Sequence, residues 1–186
     1  MEDNRVKSGK VVWSVTMSLD GFIAGADNNM EWVFEYAEPN PLVDEVIRTT
    51  GAILAGRNSY EVGQRAQRPE LREAFGGGWH GPQFVLTHTA HAEDPANIFL
   101  SGDIRQAVAT ALEAAGGKNV NVIGADVARQ CLEAGLIDEI VVFLAPLLLG
   151  EGVRLFSASN GAPIKLETIS VTQSGRVGNL RYRVVK

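Results

Sequence analysis

The sequence predicts an α/β protein built on a mixed, mostly parallel central sheet flanked by helices, with a C-terminal antiparallel hairpin. Two patterns predict that class. From residue 10 to residue 145, short runs of β-formers alternate with stretches of helical periodicity, as parallel strands joined by crossover helices do. Beyond them, 164–172 and 177–185 are both strand-like, and Gln173-Ser174-Gly175-Arg176 joins them in the manner of a hairpin. A chain of 186 residues suits one well-buried core, so residues 1–9 read as a flexible tail and 10–186 as a single domain.

Residues 10–17 (KVVWSVTM) form the first strand, with near-continuous β-formers that imply burial on both faces. Residues 18–33 read as a loop, broken by Gly21, Gly25 and the Asp27-Asn28-Asn29 cluster. A helix over 41–50 opens at Asn40-Pro41, carries Leu42, Val46 and Ile47 on one face, and stops at Gly51. A short buried strand follows at 52–55, then one or two helical turns at 57–62. An aperiodic stretch, read as mobile, ends in Gly76-Gly77-Gly78. Strands are expected at 83–87 and 97–100. The helix over 103–115 has the clearest stripe, Ile104, Ala107, Val108, Ala111 and Leu112, before Gly116-Gly117. Next come a strand at 119–123, a helix at 126–134 and a strand at 138–145. In 164–172 the apolar alternation changes phase between Leu166 and Ile169, which predicts a bulge.

Composition narrows the function classes. With 45% hydrophobic and 21% charged residues, the chain is of the ordinary globular kind. A net charge of −5 argues against a sequence-independent grip on nucleic acid. The apolar run 140–149 is too short to span a bilayer, so no membrane association is expected. Residues 1–10 are polar and lack the apolar core of a signal peptide. A lone Cys131 suits a reducing cytoplasm, and its place beside Val127 and Leu132 reads as core packing. His88 and His91 are three apart without a helix or further ligands, so no metal site is expected.

In sheets of this kind, ligands sit beyond the carboxyl ends of the strands, and four strand ends carry polar loops. After the first strand comes Ser18-Leu19-Asp20-Gly21-Phe22-Ile23-Ala24-Gly25. Asp20 either shapes an Asp-Gly turn or supplies a carboxylate for an amino-heterocycle or a proton relay. After the second comes Gly56-Arg57-Asn58-Ser59. A cation at a helix start opposes the helix dipole, so Arg57 pairs either with an anion or with Glu61 one turn on. Thr87-His88-Thr89 follows the third. Gly124-Ala125-Asp126 follows the strand at 119–123; Gly124 either only turns a corner that Asp126 caps, or brings free N–H groups to a phosphate. Trp13 and Trp32 are either core or ligand walls, and Trp32, in a polar loop, favours a wall.

Taken in order, VTMSLDGFIAG, ILAGRNSYE and VIGADVARQCLEAGLIDEIVVFLAPLLLGEGVRLF resemble the dihydrofolate-reductase-like fold, and within it the bacterial RibD C-terminal-domain family of riboflavin-type reductases. The resemblance covers about residues 10–185, and its most specific part is 122–156. It implies an NADPH-dependent reductase. By carry-over, Gly56, Arg57, Asn58 and Ser59 hold the 2′-phosphate and its neighbours, and Thr87 with His88 flanks the adenosine. Gly124, Ala125, Asp126 and Val127 meet the pyrophosphate. Thr16, Ile23 and Ala24 bracket the nicotinamide. Asp20, Phe22, Trp32, Gly150 and Glu151 face the substrate, with Asp20 orienting it and Asp44 or a water delivering a proton. Where the family commonly shows two or three glycines at the pyrophosphate turn, this chain has one, and an alanine forced to positive φ there would be strained.

The expected function is therefore hydride transfer from NADPH to a small heteroaromatic or ribosylaminopyrimidine/pterin-type substrate in the cytoplasm. The rival is a non-catalytic member of the same fold that binds a nucleotide or a partner. No cytidine-deaminase-like module with zinc-ligand cysteines accompanies the sequence, so it corresponds to the reductase half of the two-domain riboflavin enzyme. The run IDEIVVFLAPLLLG is more apolar than one strand face requires, which suggests core or, in part, a homodimer surface.

Overall fold

Strand β1 (Val11–Ser18) sends Val11 and Trp13 into one core and Val12 into another, which is why its β-formers lack a polar face. The computed structural model describes residues 9–89, 94–157 and 161–186; residues 1–8 of the expected tail and His91 lie outside them. The strands beside β1 are β6 (Asn119–Ile123) and β7 (Glu139–Ala145), both parallel to it. On one side the sheet continues through β3 (Thr50–Gly56), β4 (Gln83–Leu86) and β5 (Ile98–Leu100), all parallel. On the other, β10 (Val177–Val184) pairs antiparallel with β7, and β9 (Leu166–Ser174) closes the edge. The order is β5-β4-β3-β6-β1-β7-β10-β9. The predicted bulge is present: Arg181 faces Ser170 and Tyr182 faces Thr168, so Ile169 is the extra residue.

Two helices, α3 (Ile104–Ala114) and α4 (Ala125–Glu133), cover one face and fill the larger core with Ala107, Val108, Ala111, Val127, Ala128 and Cys131. Burial pushes the Cys131 thiol up to about 12, so it is a packed, inert side chain. The opposite face holds a smaller core of Val12, Val46, Val141, Phe143 and Val177, against which Leu42 and Val43 of α1 (Pro41–Thr49), Tyr36 and Phe75 pack. Helix α1 runs straight into β3 at Thr50, so Gly51 lies inside the strand rather than ending the helix. Helix α2 (Arg57–Arg65) is longer than the one or two turns expected. The loop expected at 18–33 contains a further strand, β2 (Phe22–Ala24), paired antiparallel with β8 (Val153–Arg154). The sequence around neither strand is periodic enough to reveal them, because each is defined by a partner about 130 residues away. Among the described residues, no helix is long and apolar enough to cross a membrane.

Glu139, at the start of β7, is 3% exposed and is satisfied by Lys10 and by Arg181, which also reaches Glu45 at 2.8 Å. Burial alone would raise its carboxyl, but the donated hydrogen bonds and charges of Lys10 and Arg181 more than offset this and hold it below the ordinary value. Its contribution is therefore complete above the unfolded carboxylate range near ~4.3 and is lost as pH falls through the lower folded value. Glu139→Gln is expected to cost about 2 kcal/mol at neutral pH. Urea unfolding should show the gap between variant and wild type narrowing on acidification.

Candidate active site

Two helix N-termini converge at the carboxyl ends of the adjacent strands β3 and β6. Helices α1 and α3 are capped by the side chains of Asn40 and Asp103. Helices α2 and α4 begin at Gly56 and Gly124 with no side-chain cap, which leaves their first N–H groups for another acceptor. Both glycines are imposed by packing. A Cβ on Gly124, whose φ is +99°, would lie 2.3 Å from Ser59 Oγ, and one on Gly56 would lie 2.9 Å from Val127 Cγ2. The strain expected at Ala125 does not arise: Ala125 is the first residue of α4, and Gly124 alone takes the positive φ of that turn. Asp126 does not cap the helix either. It accepts from Arg129 at 2.7 Å and from Gln130 at 2.8 Å; the Arg129 hydrogen bond lowers its carboxyl and offsets its charge beside the turn.

Arg57 makes the local pair and a longer-range contact together. Its Nε donates to Glu61 at 2.6 Å and its Nη1 to Thr89 Oγ1 at 2.7 Å, so the guanidinium bridges α2 to the loop after β4. Thr87, buried at the end of β4, shapes that loop by accepting the Thr89 N–H at 3.2 Å, and His88 is exposed between them. Thr89 was not singled out from the sequence; only the approach of β4 to β3 brings it to Arg57.

The sheet splits beside this anion cradle. β1 pairs with β6 only from Val11 to Trp13, but with β7 all the way to Ser18. Buried Asn121 closes the paired part: its Oδ1 accepts from the Ser14 N–H at 3.3 Å, and its amide donates to Ser14 Oγ at 2.7 Å. Past Ser14 the β6-facing edge of β1 has no strand partner among the described residues, and Thr16 lies at the middle of that open edge. The chain leaves β1 toward β3 and leaves β6 toward β7, so the split is where strand order reverses.

The loops after β1 and β7 are fastened together at the same end. Asp20 accepts from Ser18 Oγ at 2.6 Å, from the Leu149 N–H at 3.1 Å and from the Gly150 N–H at 2.7 Å. These donors, the Ser18 hydroxyl first, hold its carboxyl down at about 2. The β2–β8 pair continues the fastening, the Leu155 N–H donates to Gly21 O, and Arg154 lies 4.9 Å over the Phe22 ring. Phe22, Ile23 and Ala24 are thereby buried, while Gly150 and Glu151 remain exposed beside them. Ser18 and Arg154 were not identified from the sequence; the Ser-x-Asp spacing was the one available signal.

Trp32 lies in a 3-10 segment, Glu31–Tyr36, held by the stacking of Arg68 on Phe34 and of Arg176 on Tyr36. Its Nε1 is buried without a hydrogen-bond partner among the described residues, a donor left for a ligand or water. Trp13 is fully in the core. Asp44 is in the first turn of α1, on its exposed side, away from the face that Val46 buries. Two uncapped helix starts, a guanidinium on a threonine hook and an open strand edge together fit a phosphorylated dinucleotide.

A family model described as the RibD C-terminal domain matches residues 9–177. The uncharacterized protein YyaP of Bacillus subtilis strain 168 is 27% identical over 159 residues, 82% of this chain and 83% of that protein. Among solved structures, a putative riboflavin biosynthesis protein from Shewanella sp. PV-4 superposes with a TM-score of 0.77 at 20% identity, covering 95% of this chain and 99% of that one. Dihydrofolate reductase from Enterococcus faecalis, complexed with NADP(H), gives 0.63 at 13% identity over 96% and 98% of the chains. The fold is dihydrofolate-reductase-like, as expected.

The loop clamp is expected to persist in acid. In an NMR titration the Gly150 amide should shift with a midpoint near the Asp20 value of about 2, and Asp20→Asn should abolish that transition. Gly124→Ala combines strained φ with a Ser59 clash, and is expected to lower stability by about 1–3 kcal/mol in thermal unfolding.

Proposed function

The chain belongs to the RibD C-terminal domain family, and we propose that it is an NADPH-dependent reductase acting on a small heteroaromatic or ribosylaminopyrimidine/pterin-type substrate of riboflavin-type chemistry. The observation that carries this reading is the meeting of two uncapped helix starts with the split between β1 and β6. NADPH, when bound, supplies the hydride. Gly56, Asn58 and Ser59 with Gly124, Ala125, Asp126 and Val127 line the turns that receive its phosphates, chiefly through backbone N–H groups. Arg57, already aimed at Thr89, supplies paired donors to a 2′-phosphate, which a non-phosphorylated ribose cannot use. Thr87 and His88 border the adenosine.

The open edge at Thr16 and the backbone of Ile23 and Ala24 bracket the nicotinamide. Asp20 acts by positioning: its three donors keep it ionised and hold Gly150 and Glu151 against the substrate side. Phe22 and Trp32 supply an apolar wall on that side. A dry, oriented pocket is the protein's share of such a reaction. Asp44, in the first turn of α1, or a water is the proton source. The same observation supports a second reading, a nucleotide-binding member of the fold that turns nothing over.

The deciding measurement is NADPH oxidation against a panel of pterins, dihydrofolate and ribosylaminopyrimidines. Turnover of any one establishes the reductase. Tryptophan quenching by NADPH without turnover establishes the binder, and neither response rejects both. Arg57→Ala is expected to weaken NADPH binding by about tenfold or more while leaving NADH nearly unchanged; equal losses would remove Arg57 from the 2′-phosphate.

A further inference from the structure

Between α2 and β4 the chain makes a long excursion away from the sheet. From Arg65 to Gly78 no residue is buried, and the excursion ends at buried Trp79, whose Nε1–H donates to Thr50 O at 3.0 Å. The segment bonds chiefly to itself. The Arg72 guanidinium donates twice to Ala66 O, at 3.0 and 2.9 Å, and two short 3-10 turns, Pro69–Leu71 and Ala74–Gly77, complete it. Loops packed by their own groups in this way are frequently functional.

Two grips tie this loop to the rest of the protein, and both are weak. Arg68 lies 5.1 Å over the Phe34 ring and 3.4 Å from Glu31, on the 3-10 segment that carries Trp32. Both charged side chains are about half exposed, so their attraction is screened by water. The Phe75 ring packs against the smaller core, which also receives Tyr36 of that segment. Its backbone opposes the docking: φ is +52° at Phe75, followed by +65° at Gly76 and +85° at Gly77. A bulky residue in the left-handed region is strained, and undocking the ring would release that strain. The glycines beside it turn freely. On its other side the Trp32 segment is held more firmly. Arg176 stacks on Tyr36, donates to Glu35 O at 2.7 Å and binds Glu38 through both its backbone N–H and its Nε. The Arg68 contact is therefore the one that gives way first.

We propose that residues 66–78 form a lid on the substrate side, with Arg68 as its latch on the Trp32 wall and Gly76-Gly77-Gly78 as its hinge. Released from Phe34 and Glu31, the loop swings between the end of α2 and Trp79 and uncovers that wall; relatched, it helps to exclude water from the pocket. Arg68 is thus a positioning residue. The lid's place beside the substrate rests on the reductase reading, whereas its opening does not.

Trypsin applied to the folded chain tests the opening. Arg72 is a cleavage site within the loop, and Arg68 is not, because Pro69 follows it. Cleavage after Arg72 is expected without urea, at a rate nearly insensitive to low urea, as local opening requires. Arg68→Ala should speed it by about three- to tenfold at an unchanged urea midpoint, Arg68→Lys by less, and Phe75→Ala in the same direction. Acrylamide quenching of the Trp32 fluorescence, isolated by difference against Trp32→Phe, should rise in Arg68→Ala. With whichever panel compound oxidises NADPH, Arg68→Ala should raise KM by about threefold or more and change kcat less. Cleavage that tracks global unfolding, a cleavage rate and Trp32 quenching indifferent to Arg68→Ala, or an unchanged KM would each overturn the lid. If no compound is turned over, the reductase reading falls, and cleavage and quenching alone decide whether the loop opens from the Trp32 wall.

Discussion

The constraint on which the rest depends is the short reach of the β1–β6 pairing. Three residues of β1 bond to β6, and Asn121 then closes the ladder on Ser14 while β6 stays with β3 as far as Ile123. β1 meanwhile remains with β7 to its end. A central sheet that parts in this way leaves the half-buried residues 15–17 without a strand neighbour on that side among the described residues. The split thus creates an elongated slot with hydrogen-bonding capacity along one wall. The larger core lies mainly below it, around Trp13, Val120 and Val122, and keeps the two diverging strands in fixed positions.

Around that slot, each neighbouring element is oriented by a close approach that tolerates little change. The starts of α2 and α4 approach closely, Gly56 against Val127 and Gly124 against Ser59, leaving no room for a Cβ at either glycine. Arg57 ties the first of them to the loop after β4, and Asp20 ties the loop after β1 to the loop after β7. The geometry therefore offers a chain of anion-attracting and backbone groups from the Arg57 end to the Asp20 end. Electrostatic preorganisation of this kind needs rigid donors, and the hydrogen-bonded loops supply them.

Much of the fold was legible locally. The strand at β1, the helix over α3 with its Asp103 start, and the bulge at Ile169 each follow from periodicity and turn chemistry within a few residues. So did the strand-end turns at Gly56 and Gly124, which a glycine before a helical stripe announces. What was not legible depends on residues far apart in sequence. The β2–β8 pair, the Thr89 hook on Arg57 and the Asn121–Ser14 closure have separations that no local pattern encodes. Ala125 is the instructive case: its spacing raised the prospect of strain, yet the helix begins one residue earlier than expected and absorbs it in regular α geometry.

Propensity and hydrophobic period act over neighbouring residues, so the class of the fold, the order of its main strands and helices and the loops where a ligand can meet the strand ends are readable along the chain. What those loops do to one another depends on contacts made after folding. Asp20 could not be told from an ordinary turn residue until two N–H groups nearly 130 positions away were found on it. Arg57 paired with both its local carboxylate and a distant hydroxyl, and Asp44 came to lie on the wet side of α1. The physical reason is the same in each case: hydrogen bonds and charges act over a few ångströms of space, and folding sets those distances independently of separation along the chain.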